Sequence, residues 1–525
     1  MASTLMTPGV YLEEKNAFPN SAVAVETAVP AFIGYTDVAE RNGKSLLGKP
    51  TRITSFAEYV EYFGEGFKSK FTIEDAKVED PDSFLMNRAP KKVVFKGGNI
   101  AYMYNSIRLF YANGGGPAYI LSVGEYRGLD ALDISATDFE VLTELEKEFE
   151  PTLVVIPDAV ALGTEAYPLY TKVLAHCAKM QSRFAIFDVA KQEVGEVTED
   201  VINTFREDIG INFLNYGAAY YPWLETSIVQ NDEISFENID GDLSALLPEN
   251  DAKKIIAKYN DDRGKLDPEL EELVKKQDAA AKSGDSIIVV ETESAVRSKE
   301  NDILTAKKHF HQGLKAVSAT YTNILNEVKA RLNLLPPSGA MAGIYTQVDS
   351  TRGVWKAPAN VSVNMVNAPA VNISAEGQQT LNIDVMSGKS INVIRSFPGI
   401  GCLVWGGRTL DGNSQDWRYI NVRRTLIMIE QSIKLAARAY VFEANDANTW
   451  VTVKSMIENF LINLWKQGAL AGAAPEIAFD VQIGLGSTMT PTDILDGKML
   501  ITVKVALVRP AEFIVITFQQ QMQQS

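Results

Sequence analysis

Between residues 26 and 227, short apolar runs alternate with stretches of helical period, and this limits the fold more than any other feature of the chain. Ala118 to Val123 reads as a strand, and Leu153 to Pro157 as a buried strand ending in a turn. Tyr167 to Met180 reads as a helix, Phe184 to Val189 as the next strand, and Ala218 to Trp223 as another. Strands joined through helices run parallel, because the helix returns the chain to the starting edge. The order predicts an α/β domain built on a mainly parallel sheet.

The chain has 525 residues, more than one hydrophobic core accommodates, so further units are expected. Residues 391–525 read as a second unit of α+β type. A helix from Val422 to Tyr440 and another from Asn448 to Gln467 precede two alternating strands, around Phe479 to Leu485 and Ile501 to Leu507. Alternation of this kind gives each strand one buried face. Phe513 to Phe518 forms a last apolar run. Between the two units, residues 335–390 are rich in Gly, Pro, Asn and Ser and read as loops and short strands. A long helix is predicted from Asp302 to Leu334, stopped by Pro336 and Pro337.

Residues 228–300 carry 18 acidic and 10 basic side chains, a net of -8 against -16 for the whole chain. They read as a solvated surface insertion. Residues 1–25 read as an extended arm, since Pro8, Gly9 and Pro19 oppose a helix and Val10, Tyr11 and Leu12 favour a strand. The expected organisation is thus an arm at 1–25, an α/β unit at 26–369 with its insertion at 228–300, an α+β unit at 370–509, and a carboxyl arm at 510–525.

A net charge of -16 repels phosphate backbones and anionic lipid, which argues against nucleic acid and membranes as partners. The two cysteines, Cys177 and Cys402, make no disulfide framework and fit a reducing cytoplasm. No basic and apolar leader opens the chain, and no apolar run is long enough to span a bilayer.

Motifs for chemistry are weak. Gly43 to Lys49 has the spacing of a phosphate-binding loop, but Pro50 stands where a magnesium-binding hydroxyl belongs, and the following residues look extended. Gly114-Gly115-Gly116 follows a helix and precedes a strand, the reverse of a dinucleotide fingerprint. His176, His309 and His311 have no metal-site spacing, and Ser338 and Ser487 read as turn residues. No cofactor is expected. One helix is basic: Arg418, Arg423, Arg424, Lys434 and Arg438 oppose only Glu430. It reads either as an internally salt-bridged helix or as a positive face for an acidic partner.

Several blocks, taken in order, resemble one family. Thr7-Pro8-Gly9-Val10-Tyr11-Leu12-Glu13-Glu14 resembles the opening of contractile tail sheath proteins, and Ala31-Phe32-Ile33-Gly34 their first buried strand. Pro336 to Gly343 and Arg352 to Asn360 are similar to the mid-chain signature. The most specific blocks are Asn392 to Arg395, Phe397-Pro398-Gly399, Val404 to Leu410, Trp417 to Arg424 and Val441 to Asp446. Gly407 and Ala444 depart from the usual alanine and proline.

The resemblance implies a structural subunit and not an enzyme. It implies an outer α/β domain, subtilisin-like but without catalytic residues, and an inner domain from the carboxyl part facing a tube. Subunits of this family form hexameric rings stacked helically around an inner tube, and contraction drives the tube through a target envelope. The partners implied are other copies, the inner tube protein, and baseplate and terminal cap proteins. Such particles assemble in the producing cell's cytoplasm and act as a phage tail or an extracellular particle. The arms are expected to pair with neighbouring subunits through Val10, Tyr11, Leu12 and through Phe513, Ile514, Val515, Ile516. Arg423, Arg424, Lys434 and Arg438 are the expected tube contacts. The competing readings are a capsid or baseplate protein and a nucleotide enzyme using Gly43 to Lys49.

Overall fold

The computed structural model describes residues 22–80, 82–192, 198–283 and 286–516. Its centre is a nine-stranded sheet. In spatial order the strands are Val361–Ser362, Gly401–Val404, Ile391–Phe397, Gly217–Tyr221, Phe184–Asp188, Leu153–Val155, Pro30–Thr36, Ala118–Glu125 and Thr51–Ile53. The run from Ile391–Phe397 to Ala118–Glu125 is parallel throughout, and antiparallel strands close both edges.

Every residue of Pro30–Thr36 is buried, as a central strand covered on both faces requires. Alternate side chains feed two cores. Phe32 packs with Ile107, Phe110, Met341 and Tyr345 on one face, while Ala31 and Ile33 pack with Tyr170, Val173 and Phe205 on the other. The architecture is therefore three layers, helix on sheet on helix, as the alternation of elements predicts.

The helix Ser338–Arg352 lies where loops are expected from composition. Its glycines are packing devices. A methyl group on Gly339 or Gly343 would collide with the main-chain oxygen of Ser106 or Phe110, on the facing helix Met103–Ala112. A helix buried on nearly all sides has no polar stripe, so its sequence shows no amphipathic period.

The helix expected over 302–334 is two. One spans Ser286–Val317 and the next Ala319–Leu332. Ser318 interrupts them with an extended backbone, and its hydroxyl accepts from the Tyr321 N–H at 3.0 Å, capping the second helix.

The acidic insertion is only partly a surface feature. Ile228, Val229, Ile234, Ile239 and Leu247 are buried in the main core. Two helices, Asn250–Ser283 and Ser286–Val317, then form a hairpin. Its base is locked by Tyr259 stacked on Phe310 at 4.0 Å, with Phe236 edge-on to Phe310 at 4.8 Å. Beyond that base it is laced by exposed ion pairs such as Lys299–Glu269.

Residues 391–404, assigned from sequence to the inner unit, extend the sheet of the larger one. A distinct small core forms further on. The helices Ile420–Ala437 and Ala447–Lys466 pack with the two-stranded sheet of Phe479–Ile483 and Ile501–Val505, through Met428, Val453, Ile457, Leu461 and Val481. Ala22 is buried in the same cluster, so the amino segment starts in the small unit before entering the central sheet.

Candidate functional site

In sheets of this topology, ligands sit beyond the carboxyl ends of the strands, where the chain order switches direction. Here the switch lies between Pro30–Thr36 and Leu153–Val155, and the chain fills it with its own Asp158. This fully buried carboxylate accepts from the N–H of Tyr35 at 2.7 Å, Tyr102 at 2.6 Å and Met103 at 2.9 Å. Tyr102 and Met103 open the helix Met103–Ala112, so the N-terminus that would hold a phosphate is already occupied. Burial raises the Asp158 carboxyl to about 6, against the pull of the three N–H donors. Gly34 leaves room for it, since a side chain there would strike the carboxylate.

Asp188, at the end of Phe184–Asp188, repeats the device. It accepts from the Ser338 N–H at 2.7 Å, at the start of the helix Ser338–Arg352, and burial raises it to about 7. Ser338 is thus a helix-start residue, not a turn residue. Gly43 lies in the turn of an exposed hairpin, Glu40–Arg41 with Lys44–Ser45, and does not open a helix. His176 bonds to Arg183 at 2.6 Å and His311 to Tyr321 at 2.8 Å. Cys177 and Cys402 are buried free thiols. Among the described residues no group of three His, Cys, Asp or Glu is placed to hold a metal, and no helix is long and apolar enough to cross a membrane.

The basic helix divides into an inner and an outer half. Arg423 and Arg424 are expected tube contacts, but both are buried. Arg424 grips Asp349 at 2.6 and 2.9 Å, donates to the Thr27 carbonyl at 2.8 Å, and lies over the Tyr345 ring. Arg423 lies against the rings of Tyr216 and Trp417, donates to the Tyr216 hydroxyl at 3.1 Å, and faces Glu430 at 3.5 Å. Both cations hold the small unit to the sheet unit, which removes them from the contact set. Lys434 and Arg438, one turn apart, are exposed. They rim a cleft of about 480 Å³ whose walls include Phe149, Ile427, Met428 and Leu435.

Val10, Tyr11 and Leu12 lie outside the described residues. The segment they lead into is fastened: Val25 N–H donates to Ser432 Oγ at 3.0 Å and Thr27 Oγ1 to Asp349 at 2.6 Å. At the other end, Phe513, Ile514, Val515 and Ile516 form no strand and are 68–87% exposed. The preceding residue, Glu512, is bound by Arg408, Asn382 and Tyr419. Nothing in the sequence marks Asp349, Asp158 or Glu512 for these roles, because the partners named are at least 55 positions away.

The crevice of the layered fold is thus filled by the chain's own Asp158, and the apolar run Phe513 to Ile516 is exposed. Residues 413–521 match the family of the phage tail sheath C-terminal domain. The tail sheath protein of Vibrio phage KVP40 is 24% identical over 203 residues, which cover 38% of this chain and 29% of that one. Over nearly the full chain, the structure is similar to the sheath of the extracellular contractile injection system PVC in its contracted state. That match has 26% identity, 99% coverage of both chains and a TM-score of 0.59. It is similar also to the contracted helical sheath of the anti-feeding prophage, at 28% identity, TM-score 0.57, and coverage of 99% of this chain and 100% of that one. The chain is a structural subunit of the contractile tail sheath type.

Proposed function

We propose that the chain polymerises as stacked hexameric rings around an inner tube, and that contraction of this sheath drives the tube through a target envelope. The full-length likeness to two contracted sheaths carries the reading. The larger unit, subtilisin-like in layout and without catalysis, faces solvent, and the small unit faces the tube. The sheath ends on a baseplate and a terminal cap. It is assembled in the producing cell and works as part of a phage tail or an extracellular particle. Energy comes from the assembled lattice and not from a nucleotide, in keeping with a crevice occupied by Asp158.

The arms join the copies. An apolar run at a chain end adds naturally to an open sheet edge, and the two-stranded sheet Phe479–Ile483 with Ile501–Val505 has such edges. Electron microscopy of the purified chain tests the reading. Helical tubes are expected, whereas closed shells alone would point to a capsid protein. Deleting residues 1–20 should give a subunit with unchanged circular dichroism that forms no tubes, since the fastened segment from Ala22 onward is kept. Normal tubes from that variant would reduce the amino arm to a frayed end.

Lys434 and Arg438 remain as tube contacts. Reversing both, Lys434→Glu with Arg438→Glu, should lower co-assembly with the inner tube protein while the subunit stays folded, more so at low salt. Unchanged co-assembly would reject the contact.

A further inference from the structure

A polar network at the edge of the molecule surrounds Glu512. Its carboxylate takes Arg408 Nε at 2.9 and 3.2 Å, Arg408 Nη2 at 2.6 Å, Asn382 Nδ2 at 2.7 Å and the Tyr419 hydroxyl at 3.1 Å. The Arg408 side chain is 4% exposed and that of Glu512 20%. Burial by itself would raise the Glu512 carboxyl, but the hydrogen bonds from Arg408 and Asn382 hold it below the usual range.

Position along the chain gives the network its meaning. Four residues earlier, Val508 belongs to the small unit: its carbonyl accepts from Asn421 Nδ2 at 3.0 Å and its N–H donates to Ala469. Arg408 belongs to the sheet unit, its N–H bonded to Asn392 on the strand Ile391–Phe397. Asn382 closes the helix Ala375–Asn382 beside it. The chain therefore crosses from one unit to the other between 508 and 512, through Pro510, which fixes its own φ and offers no N–H. Immediately after the clamp come Phe513 to Ile516, which are exposed and in no strand among the described residues.

We propose that Glu512 is a positioning residue for assembly: it moors the carboxyl arm to the sheet unit and sets the direction in which Phe513 to Ile516 are offered to a second copy. The inference rests on the arm reading above and adds to it the residue that aims the arm. Bidentate carboxylate–arginine pairing suits the task, because it fixes orientation as well as distance. Without it the arm would hang from Val508 on the small unit, and the ordering entropy would fall on the association step.

The test uses the full-length chain carrying Glu512→Ala or Glu512→Gln, unlabelled where polymerisation is measured and carrying a fluorescent label on Ile516→Cys only where the unassembled subunit is measured. Both native cysteines are buried, so the label is selective. Glu512→Ala should free the label in the unassembled subunit, seen as lower anisotropy. It should also reduce the polymerised fraction by roughly tenfold, the effect of one lost charge-assisted pair, with circular dichroism unchanged. Glu512→Gln, which keeps one acceptor oxygen, should fall between. A chain lacking 513–525 serves as the reference. If that deletion abolishes polymerisation while Glu512→Ala polymerises like the parent, the mooring role is overturned and the arm reading stands. If the deletion itself polymerises normally, the arm reading falls. An unchanged label anisotropy in Glu512→Ala also overturns the mooring.

Discussion

Arg424→Ala is expected to destabilise the subunit by about 3–5 kcal/mol, as removing one partner of a buried ion pair does. The side chains of Arg424 and Asp349 are 3% and 5% exposed, so the abandoned carboxylate would find no water to replace the guanidinium. The loss spreads to three elements. Arg424 stands on the first helix of the small unit, Asp349 on the buried helix of the sheet unit, and Thr27 on the segment between them. The Tyr345 ring beneath the guanidinium, whose hydroxyl bonds to Tyr220 at 2.9 Å, would lose its cover. Chemical denaturation monitored by tryptophan fluorescence should show a lowered midpoint for the single variant. The pair Arg424→Met with Asp349→Leu should recover most of the loss, because two apolar groups leave no charge stranded. A single variant as stable as the parent would mean that the pair does not join the units.

Replacing residues 228–300 with a short Gly/Ser linker is expected to leave no folded subunit. Surface charge suggests a dispensable insertion, but the segment supplies Ile228, Val229, Ile234, Ile239, Leu247 and Ile256 to the core. At about 1.5–3 kcal/mol for each large aliphatic side chain, the loss reaches the ~5–15 kcal/mol that typically separates folded from unfolded chains. It would also strand Arg108, which donates to the Ile228 carbonyl at 2.7 Å and pairs with Glu233 at 2.7 Å. Replacing only 264–304 should behave differently. That cut keeps the Tyr259–Phe310 stack and removes exposed pairs such as Lys276–Glu272, which solvent screens. Soluble expression and circular dichroism distinguish the two deletions. A folded product from the larger, or collapse of the smaller, would contradict this division of the insertion.

These two cases mark where reading by pattern stops. Strands with one or two buried faces and helices with a polar stripe announce themselves over short windows. The central strands, the helices beginning at Ala166, Ile420 and Ala447, and the two strands of the small unit were all legible in this way. The ordered blocks that resemble sheath proteins were legible too, and with them the class of the chain. The apolar run Phe513 to Ile516 could also be read directly from the sequence, and the structure leaves it exposed.

Tertiary structure decided the rest. Arg423 and Arg424 carry the same charge as Lys434 and Arg438 on the same helix, and only the arrival of Tyr216, Trp417 and Asp349 from distant positions buries the first pair. Ser338–Arg352 looked like a loop because its glycines answer to a facing helix rather than to a turn. Residues 391–404 read as part of the carboxyl unit, but they join the larger sheet, because strand pairing with Gly217–Tyr221 spans more than 160 residues. Sequence by itself determined the local period of each segment, and through ordered motifs the family. Which partner covers each face is a sum over contacts far apart in the chain, and only the folded structure sets it.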